Sequence, residues 1–216
     1  MGDNKEQYIP ALSYRWLTRF YDPIIGFTMR ESTFKRRMVG QAMIGVNQSV
    51  LDLGCGTATL TILIKKNNPG AEVVGLDSDT KVMGIARMKI SESKLDINLE
   101  MGISYDLPFP DSCFDHVFSS LLFHHLTNEN KIRTINEVFR VLRPGGKFYL
   151  TDFGRPINQL MYLSSLIMRR LEETKGNFEG LLPVMLKEAG FDHINEYARY
   201  MTIFGSLSLY SAHKPG

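Results

Sequence analysis

From residue 49 to residue 152 the chain alternates short apolar runs with stretches of helical periodicity. The runs Ser49–Leu53, Ala71–Asp77, Ile97–Met101, Phe114–Ser119 and Lys147–Asp152 have the length and apolar content of buried strands. Between them, segments near 57–67, 79–92 and 128–142 carry apolar residues three or four positions apart, the spacing of a helix with one buried face. A β-α-β-α alternation predicts a parallel sheet. Beyond residue 190, Phe191–Phe204 and Leu207–His213 read as two strands joined through Gly205 and Ser206, with no helix between them. The expected fold is α/β: a Rossmann-like, seven-stranded, mostly parallel sheet that ends in an antiparallel C-terminal hairpin.

Residues 1–47 follow a different pattern. Behind Pro10, which suits a first helical turn, Leu12, Trp16 and Phe20 recur at i, i+4 and i+8, and Pro23 separates that helix from another starting near Ser32 or Thr33. An N-terminal helical cap over 1–47 on one α/β domain over 48–216 is the expectation. A second helical stretch interrupts that domain between the fifth strand and a helix near Leu181. Within it, Leu160, Met161, Leu163, Ile167, Met168 and Leu171 form a broad apolar face ending at Arg169 and Arg170. This insertion, residues 153–176, reads as lid-like; an apolar pocket wall, an interfacial helix, or plain core and dimer packing all fit it.

Composition alters this picture little. With 216 residues, 44% of them hydrophobic, one substantial core can be buried. The 25 basic and 23 acidic residues leave a net charge of +2, which gives no electrostatic reason to expect nucleic acid, and Lys35, Arg36 and Arg37 read as a solvated face. Cys55 and Cys113 fall in no C-x-x-C or Cys/His cluster, so neither a disulfide framework nor a metal site is indicated. The first residues lack the apolar core of a secretory signal, and no apolar run is long enough to span a bilayer. A cytoplasmic protein without stable membrane insertion is expected, with a homodimer left open.

The chemistry begins at Val50-Leu-Asp-Leu-Gly-Cys-Gly-Thr57, a buried strand running into a glycine-rich turn before a helix. Gly54 and Gly56 let the backbone turn tightly and approach a ligand without Cβ interference. A dinucleotide fingerprint would need a third glycine where Thr59 stands, and no G-K-[ST] follows to make a P-loop. The turn therefore suits a ligand with a nucleoside but no pyrophosphate. Asp77 closes the second strand 21 residues after Gly56, where a carboxylate can accept both ribose hydroxyls.

Four segments together resemble the class I S-adenosylmethionine-dependent methyltransferases, in the small-molecule group related to the ubiquinone/menaquinone enzymes. They are Val50–Thr57; Val74-Gly-Leu-Asp77; Leu107-Pro-Phe-Pro-Asp-Ser-Cys-Phe-Asp115 with Phe123-His-His-Leu126; and Glu137-Val-Phe-Arg-Val-Leu-Arg-Pro-Gly-Gly146. The resemblance implies that Gly54, Cys55 and Gly56 present backbone to the methionine part of S-adenosyl-L-methionine and that Asp77 binds the ribose. By the same resemblance Ser78 and Val82 flank the adenine, Ile103 and Ser104 lie along its edge, and Ser119 offers its backbone near the amino group. Two positions depart from the family pattern. Ala58 stands where glycine is more usual, and Ile103 stands where an aspartate often accepts from the adenine amino group. The missing bond at Ile103 costs on the order of 1 kcal/mol unless Ser104 or a backbone carbonyl replaces it.

Methyl transfer from a sulfonium asks mainly for alignment, with a base required only if the acceptor must lose a proton. His124 and His125 follow strand four near the carboxyl edge; adjacent residues do not face one cleft together, so His124 is taken as the candidate base and acceptor contact. Tyr14 and Tyr21, with Trp16, are further candidate acceptor contacts from the cap, and Arg30 could reach the cofactor's carboxylate. Strand four runs into Ser119-Ser-Leu-Leu122 and lacks the [DN]-P-P-[YF] signature of adenine and glutamine amide methylation. The expectation is methyl transfer to a small hydrophobic acceptor. The alternatives are a non-catalytic binder of S-adenosylmethionine or its demethylated product, and a protein or RNA methyltransferase.

Overall fold

The computed structural model describes residues 31–154, 180–202 and 205–216. Helix α1 (Glu31–Ala42) leads into strand β1 (Ser49–Leu53), and α2 (Thr59–Asn67), β2 (Glu72–Asp77), α3 (Thr80–Ser93) and β3 (Asn98–Met101) follow. After an irregular segment come β4 (Phe114–Ser120), a short 3-10 turn (Phe123–His125), α4 (Asn128–Val141) and β5 (Leu142–Phe153). Helix α5 (Leu182–Glu188) precedes β6 (Asp192–Thr202) and β7 (Gly205–His213). The candidate contacts Tyr14, Trp16, Tyr21 and Arg30 and the apolar stretch 157–171 lie outside the described residues.

The seven strands form one sheet in the order β3-β2-β1-β4-β5-β7-β6. Pairing is parallel from β3 through β5, and β7 runs antiparallel to both β5 and β6, so the sequence-derived fold class holds. The strand order reverses direction between β1 and β4, and in open α/β sheets the crevice at such a switch point is where ligands bind.

Alternation along the strands sends side chains to two cores. Val50, Phe118, Tyr149, Phe153, Leu207 and Leu209 face Phe34, Met38 and Val39 of α1 and Leu60 and Ile64 of α2. On the opposite face Leu51, Leu53, Val117, Phe148 and Leu150 pack against Ile135, Val138 and Val141 of α4 and Leu182 and Leu186 of α5. Burial on both faces explains why the central strand β1 and the middle of β4 read as apolar runs, while the edge strand β3 is largely exposed.

Two boundaries differ from the sequence reading. Strand β5 begins at Leu142 and not at Lys147, and its pairing with β4 jumps from Phe114↔Leu142 to His116↔Lys147 across Arg143-Pro144-Gly145-Gly146. Gly145 is left-handed, and its N–H donates to the carbonyl of Lys214, whose own N–H returns to Gly146, so the C-terminal segment bridges what looks like a break. Gly205 and Ser206 belong to β7, paired with Thr202 and Met201, and are not the hairpin turn.

Candidate functional site

The glycine turn leaves β1 through three left-handed residues in alternation: Gly54, Gly56 and Ala58, with φ of 71°, 54° and 61°. It is tied to the end of β2. The N–H groups of Gly54 and Cys55 donate to the Leu76 carbonyl at 2.8 and 3.0 Å, and that of Gly56 donates to Asp77 Oδ2 at 2.9 Å. A Cβ on Gly54 would come within 3.1 Å of Leu122, whereas one on Gly56 would meet nothing within 4 Å. Gly56 thus opens onto space a ligand can fill, and Gly54 lets the turn close against the loop after β4.

Ala58 now has a physical account. It occupies the N-cap position of α2 in the left-handed region, which costs a non-glycine residue about 1–2 kcal/mol. Its methyl is fully buried against Ala86 and Ile90 of α3, and burying one such group returns about 0.8 kcal/mol. Alanine also loses less backbone entropy on folding than glycine would, by about 0.5–1 kcal/mol. The three nearly cancel, which is how alanine persists at a glycine position.

Asp77 stands at the carboxyl end of β2 with one backbone N–H on each oxygen: Gly56 on Oδ2, and Asp79 on Oδ1 at 2.9 Å. Burial raises its pKa and those two bonds oppose the rise. Each oxygen keeps a second lone pair, the number two ribose hydroxyls need. Asp79, not Asp77, caps α3, accepting from the Lys81 N–H at 2.8 Å. Ser78 is half-buried beside it, and Val82 lies half-buried in the first turn of α3.

Asp52 was not among the residues singled out from sequence. It is buried in β1, its Oδ2 accepts from Thr61 Oγ1 of α2 at 2.7 Å, and burial pushes its pKa up to about 6 against that bond and the charge of Lys35. Lys35 is itself nearly buried on α1 and paired with Glu31. The available signal was a lone ionisable residue inside the apolar run Val50–Leu53.

After β3, the Gly102 N–H donates to the Asp77 carbonyl at 3.2 Å, which sets Ile103 and Ser104 beside the Asp77 strand end. Ile103 bridges to Asp106 and is exposed. Ser104 is buried with Oγ 3.0 Å from Thr134 Oγ1 of α4, so the two hydroxyls have one proton between them left to give to anything else.

At the carboxyl end of β4, the Oγ atoms of Ser119 and Ser120 are buried without a hydrogen-bond partner among the described residues. Orphaned polar atoms at the edge where Gly56 opens are what a site for a polar ligand leaves behind. Leu121 is left-handed and turns the chain into Phe123–His125. Here Asp152, fully buried at the end of β5, accepts the N–H groups of Phe123 (2.7 Å), His124 (3.3 Å) and Phe153 (2.7 Å), and His124 Nδ1 lies 3.0 Å from Oδ1. Burial would raise the Asp152 pKa, but the charge and hydrogen bond of His124 and the backbone bonds hold it below the usual carboxylate value. An ionised carboxylate only accepts, so Nδ1 is the nitrogen that donates to Oδ1, and in the neutral form of the ring the lone pair falls on Nε2. The adjacent histidines differ in burial, but their rings lie side by side and do not part as the sequence reading expected. His124 is buried, while the exposed His125 has its ring centroid 4.0 Å away.

Among the described residues no group of three or more His, Cys, Asp or Glu could hold a metal ion, and no helix is long and apolar enough to cross a membrane.

Residues 50–146 match the family model described as a methyltransferase domain. The chain is 32% identical to an uncharacterized methyltransferase of Synechocystis sp., an alignment covering 84% of this chain and 83% of that one. It is 29% identical to the demethylmenaquinone methyltransferase of Listeria monocytogenes over 96% of this chain and 95% of that one. Among solved structures, an S-adenosylmethionine-dependent methyltransferase from Methanosarcina mazei superposes with a TM-score of 0.68 at 21% identity, covering 82% of this chain and 97% of that one, a likeness of fold. The chain belongs to the class I S-adenosylmethionine-dependent methyltransferases, in the group related to the menaquinone enzymes, and its cofactor is S-adenosyl-L-methionine.

Proposed function

We propose that this enzyme methylates a small, hydrophobic acceptor whose reacting atom must give up a proton, with His124 as the base. The observation that carries the reading is the buried His124–Asp152 pair at the carboxyl ends of β4 and β5. When bound, S-adenosylmethionine supplies a methyl carbon on a cationic sulfonium, already a good leaving group. The protein then has to align the acceptor, exclude water and take up one proton. Asp152 holds the imidazole in the tautomer whose Nε2 is basic and stabilises the imidazolium that forms. A thioether acceptor has no proton to give up and needs no such base. A hydroxyl or an acidic carbon does.

For the cofactor, the reading assigns the backbone of Gly54, Cys55 and Gly56 to the methionine part and Asp77 to the ribose. Ser78 and Val82 flank the adenine, Ile103 and Ser104 line its edge, and Ser119 lies by the amino group. Asp77's two remaining lone pairs and the open space at Gly56 support this. Tyr14 and Tyr21 are assigned to the acceptor on the sequence pattern, within a helical cap over 1–47, and residues 153–176 to a lid. The demethylmenaquinone methyltransferase among its relatives supports a small acceptor of quinone-like chemistry. Two free thiols, Cys55 and Cys113, suit a reducing, cytoplasmic setting.

The test is transfer of labelled methyl from S-adenosylmethionine into a cell extract separated into lipid, small-molecule and macromolecular fractions. Label is expected in an organic-soluble small molecule; label confined to RNA or protein overturns the reading. His124→Ala and Asp152→Asn should each lower turnover about a hundredfold or more, the usual scale of a lost general base. Binding of S-adenosylhomocysteine should change little. Undiminished turnover in His124→Ala removes His124 as the base.

A further inference from the structure

Residues 102–113, between β3 and β4, have little regular structure of their own, and one face of α4 fixes them. The Arg133 guanidinium lies over the Tyr105 ring, 4.8 Å from its centroid, and Thr134 Oγ1 pairs with Ser104 Oγ at 3.0 Å. Glu137 Oε2 accepts the Leu107 N–H at 2.7 Å. Arg140 donates to the carbonyls of Leu107 (3.1 Å) and Phe109 (2.8 Å) and to Asp111 Oδ1 (2.8 Å), and its own carbonyl accepts from the Ser112 N–H at 3.0 Å. Residues 134, 137 and 140 recur at helical spacing, so they form one polar stripe.

The stripe is braced within α4 itself. Glu137 and Arg140 are joined by two parallel bonds of 2.8 Å each, Nε to Oε1 and Nη2 to Oε2. A guanidinium locked in this way presents its remaining N–H groups in a fixed fork, so little rotamer freedom is lost on docking. Apolar anchoring comes from elsewhere: Leu107 is buried in the core and Phe109 packs edge-on against Phe114. Such contacts hold a segment down without fixing where along the surface it sits. Hydrogen bonds are directional and do fix it. The same helix starts at Asn128, three residues after His125, and the Thr127 that caps it accepts from the Asn130 N–H. One helix therefore registers the segment after β3 while adjoining the turn that carries His124.

We infer that the Thr134–Glu137–Arg140 stripe of α4 is a positioning device that sets Ile103 and Ser104 at the adenine edge of the cofactor site. The inference rests on the proposed assignment of Ile103 and Ser104. None of the three stripe residues touches the cofactor in this account; they act through the segment they hold.

The experiment measures equilibrium binding of S-adenosylhomocysteine and of 5′-methylthioadenosine, which keeps the adenine and ribose but lacks the amino acid, well below each variant's melting temperature. Thr134→Val keeps the side-chain shape and removes the hydroxyl; Arg140→Lys keeps the charge and removes the fork. Both are expected to weaken both ligands about fivefold or more, the scale of one hydrogen bond. Thr134→Ser, which retains the hydroxyl, should restore wild-type affinity. A role in stability alone predicts lower melting temperatures with unchanged affinities, and that result overturns the inference. If Arg140→Lys does not fold, the Thr134→Val and Thr134→Ser pair decides. Wild-type protein that binds neither ligand would overturn the cofactor assignment beneath the inference, a failure distinct from variants that bind as wild type does.

Discussion

Asp52 and Asp77 stand at the ends of neighbouring strands, yet their surroundings divide them. Asp77 receives the backbone N–H groups of Gly56 and Asp79, whereas Asp52 is bonded through Thr61 alone among its hydrogen-bond partners in the described residues and is buried more completely. The folded pKa of Asp52, about 6, lies above its unfolded value near 3.9, so folding favours its protonated form. The stability this gives is fully present below about pH 4 and lost as pH rises through 6. Asp52→Asn should therefore match the wild type in urea unfolding near pH 4 and exceed it at pH 8 by on the order of 3 kcal/mol. Equal stability at both pH values would show that the carboxylate is not strained by burial. Keeping a costly carboxylate beside the glycine turn fits a stability–activity trade-off at a site for a cationic cofactor. Sequence alone made Asp77 legible, because spacing from Gly56 locates it. Asp52 hid inside an apolar run, and its significance depends on Thr61 and Lys35, which no spacing rule attaches to it.

At the scale of elements, β2 shows how a strand is shaped by what passes behind it. A Cβ on Gly75 would lie 2.9 Å from Leu99 of β3 and 3.1 Å from Cys55 Sγ of the glycine turn. Both neighbours are held, Leu99 by strand pairing and Cys55 by its bond to Leu76. Gly75→Ala should destabilise the protein by about 1–3 kcal/mol, the usual cost of overpacking, and weaken cofactor binding as the turn is pushed outward. Chemical denaturation and S-adenosylhomocysteine titration of this one variant check both halves. Strand β1 could be read directly, since burial on both faces writes an apolar run, whereas the edge strand β3 is largely exposed and was legible only from its place in the alternation. The start of β5 could not. Arg143-Pro-Gly-Gly146 carries turn chemistry, and what keeps it in the sheet is the Lys214 backbone, some 70 residues away in sequence. The Gly205-Ser206 misreading has the same root: glycine signals a turn locally, but Thr202↔Gly205 pairing is decided by register.

For the whole molecule, the proposed cofactor site ties binding to folding, because the turn, the β2 end and the β4 end meet only when the sheet is assembled. Ligand at a hundred times its Kd should stabilise the protein by about 2.7 kcal/mol, or about 5–10 °C in melting temperature for a domain of this size. Thermal unfolding with and without S-adenosylhomocysteine measures this. Asp77→Ala should lose most of the shift, and an undiminished shift would remove Asp77 from the site. The sequence by itself determined the order of elements, the parallel sheet with its hairpin, the glycine turn and Asp77, because periodicity, left-handed backbone and short-range spacing are local properties. Only the tertiary structure decided that His124 pairs with Asp152, 28 residues on, and that α4 clasps the segment after β3. Those contacts arise where parallel strands end side by side, and the residues that meet there are chosen by strand order and register, which no stretch of sequence encodes alone.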